Sequence, residues 1–344
     1  MTLKTPYPWF GGKSKIMREV WKWLGDTPNF VDPFLGSGAS VLGRPPFDGN
    51  RIETVNDADG HVCNFWRALQ ADPEAVAHHA DWPVSELDSH ARGDWLFYRP
   101  DAKEWVEQLR SDPDYYDAKS AGWWVWFVST WIGGLPSMDK PQTSRGGTKR
   151  KLPHLGDAGR GVMRTGGIWR QLPHLGDAGR GVMRQPTGTR REYLLSYMAQ
   201  LAARFDRVRV CCGDWSRVTG PTVTVKNGLT AVFLDPPYSN EADRSGDLYS
   251  VDNLTVAHDV REWAIANGDN PLMRIALCGY DSEHESLMPD TWSVYRWKAS
   301  GGYGSQSNGR GRDNKSREVI WFSPHCLNPN KEKEWRLFDL EVQP

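Results

Sequence analysis

Asn29-Phe30-Val31-Asp32-Pro33-Phe34-Leu35-Gly36-Ser37-Gly38 decides the fold. An apolar run ends in an acidic residue, and a proline and two glycines follow at once. That order reads as a buried strand, Asn29 to Asp32, leaving a sheet through a tight turn in which the backbone can approach a ligand. Upstream, the spacing of apolar residues predicts a helix from Ser14 to Leu24. Downstream, a short strand ends at Asn56, with Asp57 directly after it. The three elements together open a βαβ unit.

The same grammar returns far along the chain. Leu194, Leu195, Met198, Leu201, Ala202 and Phe205 form a helical stripe, and a strand follows at Val208 to Cys212. Ala231-Val232-Phe233-Leu234 is a continuous apolar run, as expected of a strand buried on both faces. Arg274 to Cys278 and Glu318 to Phe322 read as two more strands. An open α/β sheet interrupted by a long insertion is therefore expected.

The insertion differs in composition. Asp72 to Tyr116 is polar, acidic and helical in periodicity, and the Trp-rich run Trp123 to Trp131 is expected to pack it. Then LPHLGDAGRGVMR occurs verbatim twice, at Leu152 to Arg164 and Leu172 to Arg184. Rich in Gly and Arg, each copy reads as an exposed loop or hairpin. The whole chain carries a formal charge of −1, but Arg145 to Arg191 holds eleven basic and two acidic residues, +9, which leaves −10 elsewhere. A basic arm of this kind suits a phosphate backbone, and a recently duplicated loop with no added role is the plain alternative.

With 344 residues the chain can bury a substantial core. Its N-terminus has no signal-type apolar run, and its longest nonpolar stretch, Gly122 to Leu135, is too short to span a bilayer, so a cytoplasmic location is expected. Cys63, Cys211, Cys212, Cys278 and Cys326 form no CxxC pair. Reduced thiols and no structural metal are expected.

Chemistry is concentrated at strand ends. The Gly36-Ser37-Gly38 turn suits a nucleoside cofactor, and Asp57 stands where a carboxylate can take hydrogen bonds from ribose hydroxyls. Asp235-Pro236-Pro237-Tyr238, after the 231–234 run, is more specific. An exocyclic aromatic amine is a poor nucleophile because its lone pair is delocalised into the ring. A carboxylate (Asp235) and a backbone carbonyl (Pro236) accepting its two N–H groups would aim that lone pair at an electrophilic methyl group. Pro236 and Pro237 stiffen the turn, and Tyr238 can stack on a base taken out of a duplex.

On these motifs the sequence resembles the Dam-like, alpha-type DNA adenine-N6 methyltransferases. Trp9-Phe10-Gly11-Gly12-Lys13 looks like the family's N-terminal cofactor motif, Asp32 to Gly38 like its FxGxG motif, Asn56-Asp57 like its ribose-binding acid, Gly213-Asp214-Trp215 like its GD-aromatic segment, and Asp235 to Tyr238 like its catalytic motif. The resemblance implies a Rossmann-like, S-adenosylmethionine-dependent methyltransferase sheet with an inserted, largely helical target-recognition domain. Residues 1–70 and 191–330 would be catalytic, 71–190 the inserted region with its basic arm at 152–184, and 331–344 a tail. It implies catalytic roles for Asp235, Pro236, Pro237 and Tyr238, and cofactor contacts from Trp9, Lys13, Asp32, Phe34, Gly36, Gly38, Asp57, Asp214 and Asp235. Double-stranded DNA would be held by Arg145, Lys149, Arg150, Lys151, Arg160, Arg164, Arg170, Arg180 and Arg184. A monomer or weak dimer, working alone or beside a cognate restriction endonuclease, fits such an enzyme. The chain departs from the family where members that methylate GATC carry an Asn-Gly-Leu element, since its nearest segment is Thr130-Trp131-Ile132-Gly133-Gly134-Leu135-Pro136. Two other readings stay open: transfer to cytosine N4 or to adenine in RNA, and a non-catalytic DNA-binding protein on the same fold.

Overall fold

The computed structural model describes residues 3–9, 11–46, 49–83, 85–130, 190–237, 256–297 and 318–329. Tyr238, the nine arm residues from Arg145 to Arg184, both copies of the duplication, Trp131 to Pro136 and Gly301 to Arg317 lie outside them.

Among the described residues seven strands form one mixed sheet: β1 (Asn29–Asp32), β2 (Ile52–Asp57), β3 (Val208–Cys212), β4 (Thr230–Leu234), β5 (Met273–Tyr280), β6 (Ser293–Arg296) and β7 (Glu318–Phe322). Their order is β3-β2-β1-β4-β5-β7-β6. The first five in that order run parallel, and β7 is antiparallel to both its neighbours. Because successive side chains alternate across a strand, the apolar runs supply two cores at once. Phe30, Phe233, Cys278 and Phe322 face one core, and Val31, Leu234, Leu277 and Trp321 face the other.

Helices cover both faces. α1 (Met17–Leu24), α2 (Ala39–Leu42), α3 (Gly60–Ala71) and α8 (Arg190–Phe205) pack on the first core, and α9 (Val256–Gly268) on the second. The polar stretch after Asp72 forms α4 (Pro73–Ala80), α5 (Glu86–Phe97) and α6 (Ala102–Ser111), and the Trp-rich run forms α7 (Ala118–Thr130). Asp72 caps α4 through the Ala75 N–H, with Pro73 in the first turn where a missing N–H costs nothing. These helices share the first core, since Trp105, Trp124, Trp126 and Phe127 are buried with Phe65 and Trp66 of α3.

The sheet agrees closely with the pattern read from sequence at β1, β3 and β7. Three differences have local causes. α1 begins at Met17 because residues 14–16 form a turn closed by the Ile16 and Met17 N–H groups on the Lys13 carbonyl. β2 runs one residue further, to Asp57, whose partner on β3 is Cys212. β6 has no apolar run to betray it, because it is an edge strand half-exposed in alternation and paired with β7 alone in the sheet.

Candidate active site

Three adjacent parallel strands deliver the site. β1 lies between β2 and β4, so Asp32, Asp57 and the Asp235-Pro236-Pro237 segment emerge side by side at the carboxyl ends. Such an edge is where open α/β sheets bind ligands.

The turn after β1 is fixed by its own acid. Asp32 is fully buried; it accepts a hydrogen bond from the Phe34 N–H at 2.9 Å and another from the Ser40 hydroxyl. Tyr7 Oη and Trp66 Nε1 both donate to the Gly36 carbonyl, at 2.7 and 3.2 Å. Gly36 and Gly38 have φ of 48° and 73°, a region that favours glycine. A Cβ on Gly36 would stand 2.5 Å from Trp9 Nε1, and one on Gly38 2.5 Å from Trp66 Cζ2. Both glycines are thus required by packing against tryptophans as well as by backbone conformation.

The neighbouring loops are tied to this turn. Asp57 accepts the Gly36 N–H and the Asp59 N–H, each at 2.9 Å. Asn56 Nδ2 donates to the carbonyls of Pro33 and Gly213, and the Gly213 N–H donates to the Asp57 carbonyl. Asp214 is exposed and caps the following turn by accepting from the N–H and hydroxyl of Ser216. Phe34 and Trp215 face each other with ring centres 6.5 Å apart and planes 27° apart.

The electrostatics divide the site in two. Lys13 is buried, with its ammonium 2.9 Å from Asp235 Oδ1 and 3.9 Å from Glu318 Oε2, and it donates to the Gly11 carbonyl at 2.7 Å. Burial alone would lower its pKa, but the Asp235 and Glu318 charges prevail and raise it, so it stays cationic. At the other end, burial pushes Asp32 and Asp57 up to about 7; the hydrogen bonds from Ser40 and Phe34 oppose this at Asp32, and the Asp59 charge adds to it at Asp57.

A cleft of about 270 Å³ runs between these groups. Among the residues proposed from sequence, Trp9, Lys13, Asp32, Phe34, Asp57, Asp214, Asp235 and Pro237 border it. Pro236, between the last two, is buried. Gly36 and Gly38 shape the turn, while Leu35 and Ser37 between and before them reach the cleft wall. Arg110, Trp215 and Val256 also border it, and sequence reasoning did not single out Arg110 or Val256. Neither lies in a motif; only the packing of α6 and α9 brings them there. Among the described residues no group of three or more His, Cys, Asp or Glu could hold a metal ion, and no helix is long and apolar enough to cross a membrane.

Residues 9–123 match the D12 class N6 adenine-specific DNA methyltransferase family. Over that third of the chain the sequence is similar to this family. Two named relatives are similar over shorter stretches. The chain is 30% identical over 79 residues to the DNA adenine methylase of Vibrio cholerae serotype O1, covering 23% of this chain and 27% of that protein. It is 24% identical over 70 residues to the DNA N-6-adenine-methyltransferase of Escherichia phage P1, covering 20% of this chain and 9% of that protein. The matched stretch thus spans about a quarter of the first relative's length and less of the second. The matched segment holds the β1–β2 side of the cleft, Trp9 to Asp57, whereas Asp235 lies outside it and joins the site through the sheet.

Proposed function

We propose that the protein transfers a methyl group from S-adenosylmethionine to N6 of an adenine flipped out of double-stranded DNA. One observation carries this reading: the Asp235-Pro236-Pro237 end of β4 borders the same cleft as the glycine turn of β1 and Asp57 of β2. A group that can orient an amine and a surface that can hold a nucleoside therefore open into one space.

The residues suit such a cofactor. Asp57 sits at the mouth of a strand-turn crevice as ribose hydroxyls require, and Phe34 and Trp215 offer aromatic faces to a base. S-adenosylmethionine would supply an electrophilic methyl group there. The protein's part is alignment. Asp235, kept ionised by Lys13 at 2.9 Å, accepts one amine N–H while the Pro236 carbonyl accepts the other, and Tyr238 stacks on the base. The prolines keep that carbonyl in place. No covalent enzyme intermediate is needed, since the amine nitrogen itself attacks and its surplus proton leaves to solvent.

In this reading the sheet is a Rossmann-like methyltransferase sheet, formed by residues 1–70 and 191–330, and 71–190 is the target-recognition region. The basic residues from Arg145 to Arg184 hold phosphates. The enzyme works in the cytoplasm as a monomer or weak dimer, with or without a restriction endonuclease as companion. The test is to incubate the protein with methyl-labelled S-adenosylmethionine and unmethylated genomic DNA, digest to nucleosides and identify the labelled one. Label in N6-methyladenine supports the proposal; label in N4-methylcytosine, in RNA adenine or in nothing overturns it.

A further inference from the structure

Of the cleft's lining residues only Lys13 and Arg110 carry a positive charge among those described, and they differ in every respect. Lys13 is buried and committed to Asp235 and Glu318. Arg110 is exposed, comes from the last turn of α6, and forms no ion pair or side-chain hydrogen bond with the described residues. It borders the cleft together with three acids, Asp57, Asp59 and Asp214.

Its place there is fixed from below. Arg67 of α3 is buried and donates from Nε to the Val210 carbonyl of β3 at 3.0 Å, and from Nη1 to the carbonyls of Leu109 and Asp112 at 2.8 and 3.0 Å. One guanidinium therefore ties the end of α6, on either side of Arg110, to β3. Leu109 and Trp105 are buried against Gly60, where a Cβ would lie 3.3 to 3.4 Å from both. A helix end held this way presents Arg110 at a fixed spot rather than sweeping it through solvent.

That spot is at the nucleoside end. Arg110 stands with Gly213 and Asp214, which follow β3, and β3 is three strand spacings from β4, roughly 14 Å. The reacting end of the cleft is at Asp235 after β4, so a ligand reaching from Asp235 to Arg110 presents its far end to the arginine.

We propose that Arg110 is a cofactor-binding residue supplied by the helical region, closing the cleft over the adenosine end of S-adenosylmethionine by hydrogen bonding or stacking of its guanidinium on the nucleoside. This rests on the proposed methyl donor. It gives the helical region a direct hand in cofactor binding, with Arg67 as the residue that positions Arg110.

Calorimetry on the full chain tests it with two probes, S-adenosylhomocysteine and 5′-methylthioadenosine, which keeps the adenosine but lacks the amino-acid carboxylate. Arg110→Ala and Arg110→Gln should each raise the dissociation constants of both probes by the same factor, about five- to tenfold. The melting temperature without ligand should stay that of the unsubstituted protein, because the side chain is exposed. Unchanged affinity for both probes overturns the proposal, and so does weakening of S-adenosylhomocysteine alone, which would put Arg110 on the carboxylate. If the unsubstituted protein binds neither probe, the methyl-donor reading itself fails and takes this one with it.

Discussion

Lys13 Nζ lies 2.9 Å from Asp235 Oδ1, so the segment entering the first helix is bonded to the segment leaving the fourth strand. Both partners are largely out of solvent, at 2% and 20% side-chain exposure. A fixed cation at this distance favours the charged carboxylate, the form that accepts an amine N–H.

Asp235→Ala should therefore reduce methyl transfer at least a hundredfold at saturating cofactor, the scale seen when one positioned polar group is lost from a catalytic site. Binding of S-adenosylhomocysteine should persist, because Asp57, Phe34 and the glycine turn are untouched. Single-turnover transfer beside calorimetry reads both. Substantial residual transfer would remove Asp235 from its assigned role.

Removing the cation is expected to do more harm to the fold than removing the acid. Lys13→Met leaves the Asp235 and Glu318 carboxylates facing each other around an apolar side chain, and should cost about 2–4 kcal/mol. Urea unfolding followed by tryptophan fluorescence measures it. A midpoint equal to that of the unsubstituted protein would mean the pair contributes nothing net.

Asp32 and Asp57, both pushed up to about 7 by burial, give the protein a pH signature. A carboxyl whose folded pKa is raised holds a proton that the unfolded chain has already released above about pH 4. Their contribution to stability is thus full below pH 4 and is lost as pH rises through 7. Cofactor binding should run the other way, strengthening from pH 6 to 8 as Asp57 ionises. Asp57→Asn should bind S-adenosylhomocysteine more weakly and with a shallower pH slope. Equal slopes in the two proteins would dissociate Asp57 from the effect.

Gly38→Ala tests the packing of the turn. The new Cβ would meet Trp66, itself stacked on Phe205 with ring centres 3.9 Å apart, and the backbone there has φ of 73°. With neither ring free to yield, a loss of about 2–4 kcal/mol is expected in urea unfolding. A loss below about 1 kcal/mol would show that the turn can relax.

The sequence by itself determined the strands and the chemistry at their ends. Asn29 to Asp32, Val208 to Cys212 and Glu318 to Phe322 are short stretches of apolar and β-branched residues between turn signals, so they could be bounded from sequence, and Asp235-Pro236-Pro237 follows its strand directly. The half-exposed edge strand β6 escaped because its alternating residues form no apolar run and its one sheet partner, β7, lies further along the chain. Tertiary structure alone decided the partnerships. Lys13 meets Asp235, Asp57 meets Gly36, and Tyr7 and Trp66 converge on the Gly36 carbonyl because strand order and helix packing bring them together. Arg110 reaches the cleft because α6 packs through Trp105 and Leu109 and Arg67 ties its end to β3. Periodicity and motif report what a residue does to its near neighbours in the chain; which distant residue it will touch depends on how the layers close, and that is fixed only when the core packs.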